Sequence, residues 1–74
     1  MPTLPNLSGK DVVKAFERDG WTKARQRGSH VILVKDGSMS TLSVPNHKEV
    51  AKGTLRSLIR ASGLSADEFI KLAK

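Results

Sequence analysis

One segment near the middle of the chain carries the side chains best suited to proton transfer beside a phosphate. It reads Arg25-Gln26-Arg27-Gly28-Ser29-His30 and leads into the apolar run 31–34. An imidazole, with an ordinary pKa of about 6.5, can take up or release a proton near neutral pH. A neighbouring guanidinium or ammonium can stabilise charge on phosphoryl oxygens. Such a pair can cleave RNA without a metal, because the base removes a 2′-hydroxyl proton and that oxygen attacks the adjacent phosphorus.

His30 is therefore the candidate catalytic residue, although a structural interpretation stays open. Histidines in strands are often half-buried, with their ring nitrogens satisfied by hydrogen bonds. Gly28, the basic residues before it and a predicted open sheet face favour a functional role. The second histidine, His47, follows Pro45 in a predicted loop. It is a candidate acid or base, a phosphate contact or a loop residue hydrogen-bonded to the backbone, and the last interpretation is favoured.

Other kinds of catalytic site are not indicated. The seven carboxylates are spread over predicted helices and turns, whereas a two-metal nuclease needs several of them at one point. Two histidines without any cysteine do not favour a zinc site. The sequence also has no glycine-rich phosphate loop and no dinucleotide fingerprint. We therefore expect neither a metal nor a cofactor.

The charge of the chain favours a polyanionic partner. Thirteen Lys and Arg against seven Asp and Glu give a net charge of +6 on 74 residues, enough for one domain with a modest core. Nucleic acid is the first partner to consider, although a solubilising surface or an acidic protein partner would explain the same charge. The alternation of Lys23, Arg25 and Arg27 predicts a row of phosphate contacts, but such a row also protects an exposed strand edge.

The cellular compartment of the protein is inferred from features that the sequence lacks. Cysteine is absent, so disulfides are excluded and nothing points to an oxidising environment. No apolar run approaches the roughly 20 residues that span a bilayer, and the first residues do not resemble a signal peptide. A cytoplasmic protein without membrane contact is the expectation.

The order of predicted elements indicates an α+β fold in a single domain, residues 1–74. Residues 1–6 are expected to be an extended leader on the surface. The elements that follow are a helix capped by Ser8 and ended by Asp19-Gly20, strands over 21–26, 29–35 and 39–44, a helix from Gly53 to Gly63, and a short helix capped by Ser65. Trp21 is expected to anchor the core, because the chain has only three aromatic residues.

The dipeptide Asp36-Gly37 predicts a two-residue hairpin turn, and this turn sets which side chains share a face. It pairs Val31 with Leu42 and Leu33 with Ser40, so that 31, 33, 42 and 44 face the helices. His30, Ile32 and Val34 then lie on the opposite face, open to solvent or a partner. A three-residue turn would instead bury His30.

Four short segments together resemble one known family, the HicA toxins of bacterial and archaeal HicA-HicB toxin-antitoxin systems. They occur in the family's order and extend over nearly the whole chain. The segments are Gly28-Ser29-His30 before the apolar strand, Val44-Pro45-Asn46-His47, Gly53-Thr54-Leu55-Arg56-Ser57 and Ala61-Ser62-Gly63-Leu64-Ser65. Each is weak alone, whereas the four in succession on a chain of this length are specific.

The resemblance implies an mRNA interferase, a toxin that cleaves mRNA and inhibits translation. Its fold would resemble a double-stranded RNA-binding domain, α-β-β-β-α, with helices on one face of a three-stranded antiparallel sheet and a short extra C-terminal helix. The family's catalytic histidine matches His30. The implied partner is a HicB-type antitoxin that covers the active face and often binds operator DNA, so that the toxin meets DNA only through the complex.

The RNA contacts are expected from charge and position, not from the resemblance. The candidates are Lys23, Arg25, Arg27, Gly28, Ser29, His47 and Lys48. Two other functions remain open at this point. One is a non-catalytic RNA-binding module of the same fold, and the other is a protein-interaction domain whose charge serves an acidic partner.

Overall fold

The computed structural model describes residues 3–74. In chain order the elements are α1 (Gly9–Arg18), β1 (Thr22–Arg27), β2 (His30–Val34), β3 (Leu42–Pro45), α2 (Lys52–Ser62) and α3 (Ala66–Ala73). The strands form one antiparallel sheet in the order β1-β2-β3. The predicted α+β fold, with its short C-terminal helix, is confirmed. Within residues 3–74 no helix has both the length and the apolar character to cross a membrane.

Two serines set the starts of α1 and α3, as the sequence predicts. The Ser8 hydroxyl accepts a hydrogen bond from the Asp11 N–H at 3.2 Å, and the Ser65 hydroxyl accepts one from the Glu68 N–H at 3.1 Å. Each carboxylate in turn accepts a bond from the serine N–H, which completes a capping box. The bonds from the backbone and hydroxyl of Ser65 lower the pKa of Glu68. Gly63 ends α2 in the left-handed conformation, with φ of +84°.

The core lies between the helices and one face of the sheet. Phe16 is fully buried and contacts Phe69, with ring centroids 5.1 Å apart, and Trp21, at 6.4 Å in an edge-on arrangement. Trp21 is 2% exposed, which confirms it as a core anchor. The sheet contributes Val31, Leu33, Leu42 and Val44 to this core.

The first residues of the chain differ from the expectation of a surface leader. Residues 3–6 have no regular secondary structure, as expected, and Met1 and Pro2 lie outside the described residues. Leu4, however, is only 4% exposed and belongs to the core, so the surface prediction is wrong for it. Burial of a leucine side chain is worth about 1.5 to 3 kcal/mol, which favours the core even between prolines. The Leu7 carbonyl accepts a hydrogen bond from the Val50 N–H at 2.8 Å.

The predicted two-residue hairpin between β2 and β3 is wrong, although its consequence for the faces holds. Asp36-Gly37 forms a turn in which the Ser38 N–H donates to the Lys35 carbonyl at 3.1 Å. The connection nevertheless runs over residues 35–41, and Val31 pairs with Val44, two positions from the predicted partner. A type I′ turn needs positive φ at both central residues, and only Gly37 has it, at +83°. An even shift leaves every side chain on its predicted face.

Candidate functional site

His30 is the first residue of β2 and lies at the tip of the β1–β2 hairpin. It pairs with Arg27 on β1 and with Pro45 on β3. Its neighbour Val31 faces the core, so the His30 side chain lies on the open face of the sheet, and it is exposed. The predicted outward presentation of His30 is therefore confirmed.

The open face is less apolar at its centre than the sequence predicts. Ile32 was expected to be open to solvent there, yet it is only 8% exposed and lies in register between Arg25 and Ser43. Val34 is 40% exposed, and Met39 in the 35–41 connection is fully exposed. The accessible apolar surface is therefore at the end of β2 farthest from His30.

Backbone constraints from two sides fix the hairpin tip that carries His30. Gly28 and Ser29 form a two-residue turn, and Gly28 has the positive φ, +58°, that type II′ turns require at their first position. The Gln26 side-chain amide donates to the Gly28 carbonyl at 3.2 Å. From the other side, the Asn46 N–H donates to the Ser29 carbonyl at 2.6 Å. The loop after β3 thus holds the turn in place.

Gly9 is a supporting residue that the sequence reasoning missed. Its N–H donates to the His47 carbonyl at 2.8 Å, and a Cβ at this position would lie 2.7 Å from the Asn46 Cα and closer still to the Pro45 carbonyl oxygen. No side chain fits between the start of α1 and this loop. The sequence contains one sign of this role, a glycine in the first turn of a helix, where glycine lowers helix propensity. The φ of Gly9 is not positive, so the backbone conformation alone does not require glycine.

A β-bulge divides the predicted row of basic side chains on β1. Arg25 pairs with Ile32 and Arg27 with His30, which places both guanidinium groups on the open face. Lys23 pairs with the core residue Leu33, because the register shifts between Lys23 and Arg25. The prediction that all three share one side is therefore wrong for Lys23, which faces α1. The strict alternation of basic residues in the sequence did not indicate that β1 contains the extra residue of a bulge.

His47 and Lys48 lie beside the first turn of α1, not beside His30 on the open face. Both are exposed, and with Ser8, Lys10 and Asn46 they line a shallow depression of about 290 Å³. His47 lies in a loop, as predicted, and its backbone carbonyl accepts the Gly9 N–H. The role of its ring stays a prediction. The structure thus brings together His30, Arg25, Arg27, Gly28 and Ser29 at the tip and on the open face, and places Lys23, His47 and Lys48 beside α1.

The hairpin is a region of one charge sign. Positions 20–35 contain Lys23, Arg25, Arg27 and Lys35 and no Asp or Glu. Lys35, at the far end of β2 from His30, forms an ion pair with Asp19 at 3.2 Å. Among residues 3–74 no three His, Asp or Glu side chains gather closely enough to hold a metal ion. The charge near His30 therefore suits a phosphate-bearing ligand.

Comparison with known proteins identifies the family of this chain. Residues 9–64, more than half of the chain, match the family model described as the HicA toxin of bacterial toxin-antitoxin systems. A chain in a solved "Toxin-Antitoxin complex from Streptococcus pneumoniae" is 32% identical, with a TM-score of 0.70, and the match covers 78% of this chain and 98% of that one. No curated protein matches the chain. On this evidence the chain belongs to the HicA family of toxins of bacterial toxin-antitoxin systems.

Proposed function

We propose that this toxin is a metal-independent endoribonuclease that cleaves mRNA and inhibits translation, with His30 as the catalytic acid or base. The observation that carries the proposal is the exposed imidazole at a hydrogen-bonded hairpin tip, where His30 pairs across the strands with Arg27. Membership of the HicA family supports it, because HicA toxins are known as mRNA interferases.

The mechanism follows from these two side chains. The His30 imidazole removes the proton of a ribose 2′-hydroxyl, the 2′-oxygen forms a bond to the adjacent phosphorus, and the bond from phosphorus to the 5′-oxygen breaks. The departing oxygen takes up a proton from an imidazolium or from water. Cross-strand neighbours have Cβ atoms about 4.5 to 5.5 Å apart, so the Arg27 guanidinium can reach the phosphoryl oxygens as their charge grows. Arg25, on the same face, adds a contact to a neighbouring phosphate.

The rigidity of the tip is part of the proposal. A base acts efficiently only when it is held within hydrogen-bond reach of the proton that it removes. The turn bond from Gln26 and the bond from Asn46 to Ser29 hold the backbone before His30 on both sides. Gly28 and Ser29 therefore position the imidazole and leave space for the RNA backbone to approach.

The proposed partner is a HicB-type antitoxin that silences the toxin by covering the open face. The solved structure that resembles this chain is a toxin-antitoxin complex, which supports a partner of this kind. On this chain, Val34 and Met39 offer apolar contact area, and Arg25 and Arg27 offer charge for an acidic segment. Operator DNA would then be bound through the antitoxin and not by this chain directly.

Replacement of His30 tests the catalytic role. His30→Ala and His30→Asn remove the acid-base group, and Asn retains a polar side chain, so both variants are expected to lose about 10²- to 10⁴-fold in RNA cleavage rate. RNA binding and the melting temperature should stay close to those of the wild type, because the ring is exposed. Rates are measured under single-turnover conditions with purified toxin and mRNA.

The same experiment distinguishes the alternative of a non-catalytic RNA-binding module. If both His30 variants cleave mRNA and arrest growth as the wild type does, the enzyme proposal fails. His47→Ala is expected to slow cleavage less than tenfold, since His47 lines the depression beside the start of α1. A loss as large as that of His30→Ala would instead assign the two proton transfers to two histidines.

A further inference from the structure

A basic groove runs between α1 and β1, on the side of the sheet opposite to the His30 side chain. It has a volume of about 410 Å³, within the range of small-ligand pockets. Three lysines line it, Lys10 and Lys14 from α1 and Lys23 from β1, with Glu17 as the one acidic side chain. The groove therefore carries a net charge of about +2 in the absence of a ligand.

The lysines of the groove have no ionic partner within residues 3–74, where the ion pair of the structure is the one between Lys35 and Asp19. Lys10 and Lys14 stand four residues apart on one helix, a spacing at which like charges destabilise the helix by a few tenths of a kcal/mol. An anion between them removes this repulsion. Such an arrangement suits a ligand that brings its own negative charge.

The floor of the groove is apolar, and one edge offers an amide. Val13 is half-buried and Val31 is 7% exposed, so they form a surface on which a ribose or a base can pack. The Gln26 amide donates one hydrogen bond to the Gly28 carbonyl, which leaves its own carbonyl oxygen able to accept another. Together, the charge, the apolar surface and the amide can contact the phosphate, ribose and base of a nucleotide.

The groove ends at the same hairpin tip that presents His30. Gln26 lines the groove and is bonded to the turn, and Asn46 lines the groove and is bonded through its backbone to Ser29. Arg27 and His30 lie on the other face of the same two strands. A chain that crosses the tip therefore touches His30 on one side and the groove on the other.

We propose that the groove between α1 and β1 is a second RNA subsite, which binds the phosphates of single-stranded nucleotides next to the one cleaved at His30. The inference rests on the proposed ribonuclease function and assigns Lys10, Lys14 and Lys23 to substrate binding. It also gives Lys23 a role on the helix side of the sheet, away from the open face. The RNA would bend over the Gly28–Ser29 turn.

A single-stranded RNA fits this groove better than an acidic protein segment. The apolar floor and the acceptor on Gln26 can take a base and a ribose, and three lysines without an ionic partner among residues 3–74 suit the successive phosphates of a nucleic acid. The exposed apolar residues suited to a protein partner, Val34 and Met39, lie at the far end of the open face. The two surfaces are therefore separate on the molecule.

Paired lysine variants test the subsite in the full-length chain. Lys10→Gln with Lys14→Gln is compared with Lys71→Gln and Lys74→Gln, which remove the same charge from α3 and the C-terminus. The probe is a labelled single-stranded RNA, bound by His30→Ala protein so that it is not cleaved. Loss of two phosphate contacts should weaken binding at least tenfold and reduce the slope of log affinity against log salt by about 1.4. In the active background KM rises, with kcat within twofold of the wild type.

Three other outcomes would each contradict the proposed function or the RNA subsite. If the wild type and His30→Ala neither bind nor cleave RNA, the proposed function fails and the subsite fails with it. If RNA is bound and cleaved but the Lys10 and Lys14 pair behaves like the α3 control pair, the subsite alone is wrong. If the pair leaves RNA affinity unchanged and weakens binding to the antitoxin, the groove belongs to an acidic protein segment and the inference is overturned.

Discussion

Each of the two hairpins of the sheet has a glycine in its turn, but the two connections differ in structure. Gly28-Ser29 joins β1 to β2 in two residues, and Asp36-Gly37 lies within the seven-residue connection, 35–41, from β2 to β3. In both turns the glycine has positive φ, +58° and +83° respectively. At the first turn this glycine is the first central residue, whereas at the second it follows Asp36. A two-residue type I′ turn would also require positive φ at Asp36, which Asp36 does not have, and the second connection is correspondingly longer.

Support from the rest of the chain also differs between the two hairpins. The first tip is bonded to the loop after β3 through Ser29 and Asn46, and that loop packs against the start of α1 at Gly9. The second connection is exposed from Asp36 to Thr41. The rigid tip carries the candidate catalytic histidine, and the exposed connection carries Met39. Precise chemistry needs the first arrangement, and an adaptable protein contact tolerates the second.

The largest expected effect comes from the support beneath the first hairpin. Gly9→Ala places a methyl group against the backbone of Pro45 and Asn46, so we expect a loss of about 1 to 3 kcal/mol in the free energy of unfolding. RNA cleavage should fall as well, because the displaced loop no longer holds the Ser29 carbonyl. Denaturant unfolding and cleavage rates of the folded fraction measure the two effects.

Gly53→Ala is the matched control for that substitution. Gly53 lies in the first turn of α2 with nothing within 4 Å of an added Cβ, so alanine should stabilise the protein by about 0.4 to 1 kcal/mol. Equal destabilisation by the two substitutions would contradict the close packing of α1 on the loop. Gly9 would then be no more than a weak helix former.

Alanine substitution of the glycine in each turn is expected to have a smaller effect on stability, and it compares the two turns directly. Gly28→Ala and Gly37→Ala both force a positive φ on a residue with a Cβ, and nothing lies within 4 Å of either Cβ. Each should therefore cost roughly 1 to 2 kcal/mol of stability. Only Gly28→Ala should also slow RNA cleavage, since it changes the backbone two residues before His30. Similar cleavage rates in the two folded variants would show that tip geometry does not control activity.

Local chemistry in the sequence predicted most of the fold. The capping boxes at Ser8 and Ser65 depend on residues three positions apart, and the left-handed end of α2 depends on Gly63 alone. The faces of β2 followed from alternation, which an even register shift leaves unchanged. The exposed position of His30 was therefore predictable although the loop length was not.

The errors concern contacts between segments that are distant in the chain. The side of Lys23 depends on a bulge against β2, and the burial of Leu4 depends on space left by the assembled core. The function of Gly9 requires knowledge that α1 starts against the loop after β3. The groove between α1 and β1 likewise exists only once both elements are placed. The spacing of residues within one segment does not determine how close that segment lies to another.

The smallest expected effect on stability is at the exposed hairpin. Met39→Lys replaces a fully exposed side chain, so the free energy of unfolding should change by less than about 0.5 kcal/mol and RNA cleavage should stay within twofold of the wild type. Affinity for a co-expressed antitoxin should fall, because a fully exposed methionine is a suitable anchor for a protein partner. Ser38→Lys adds the same charge one residue earlier and serves as the control in a binding titration. If both variants bind the antitoxin as the wild type does, the long hairpin lies outside the interface.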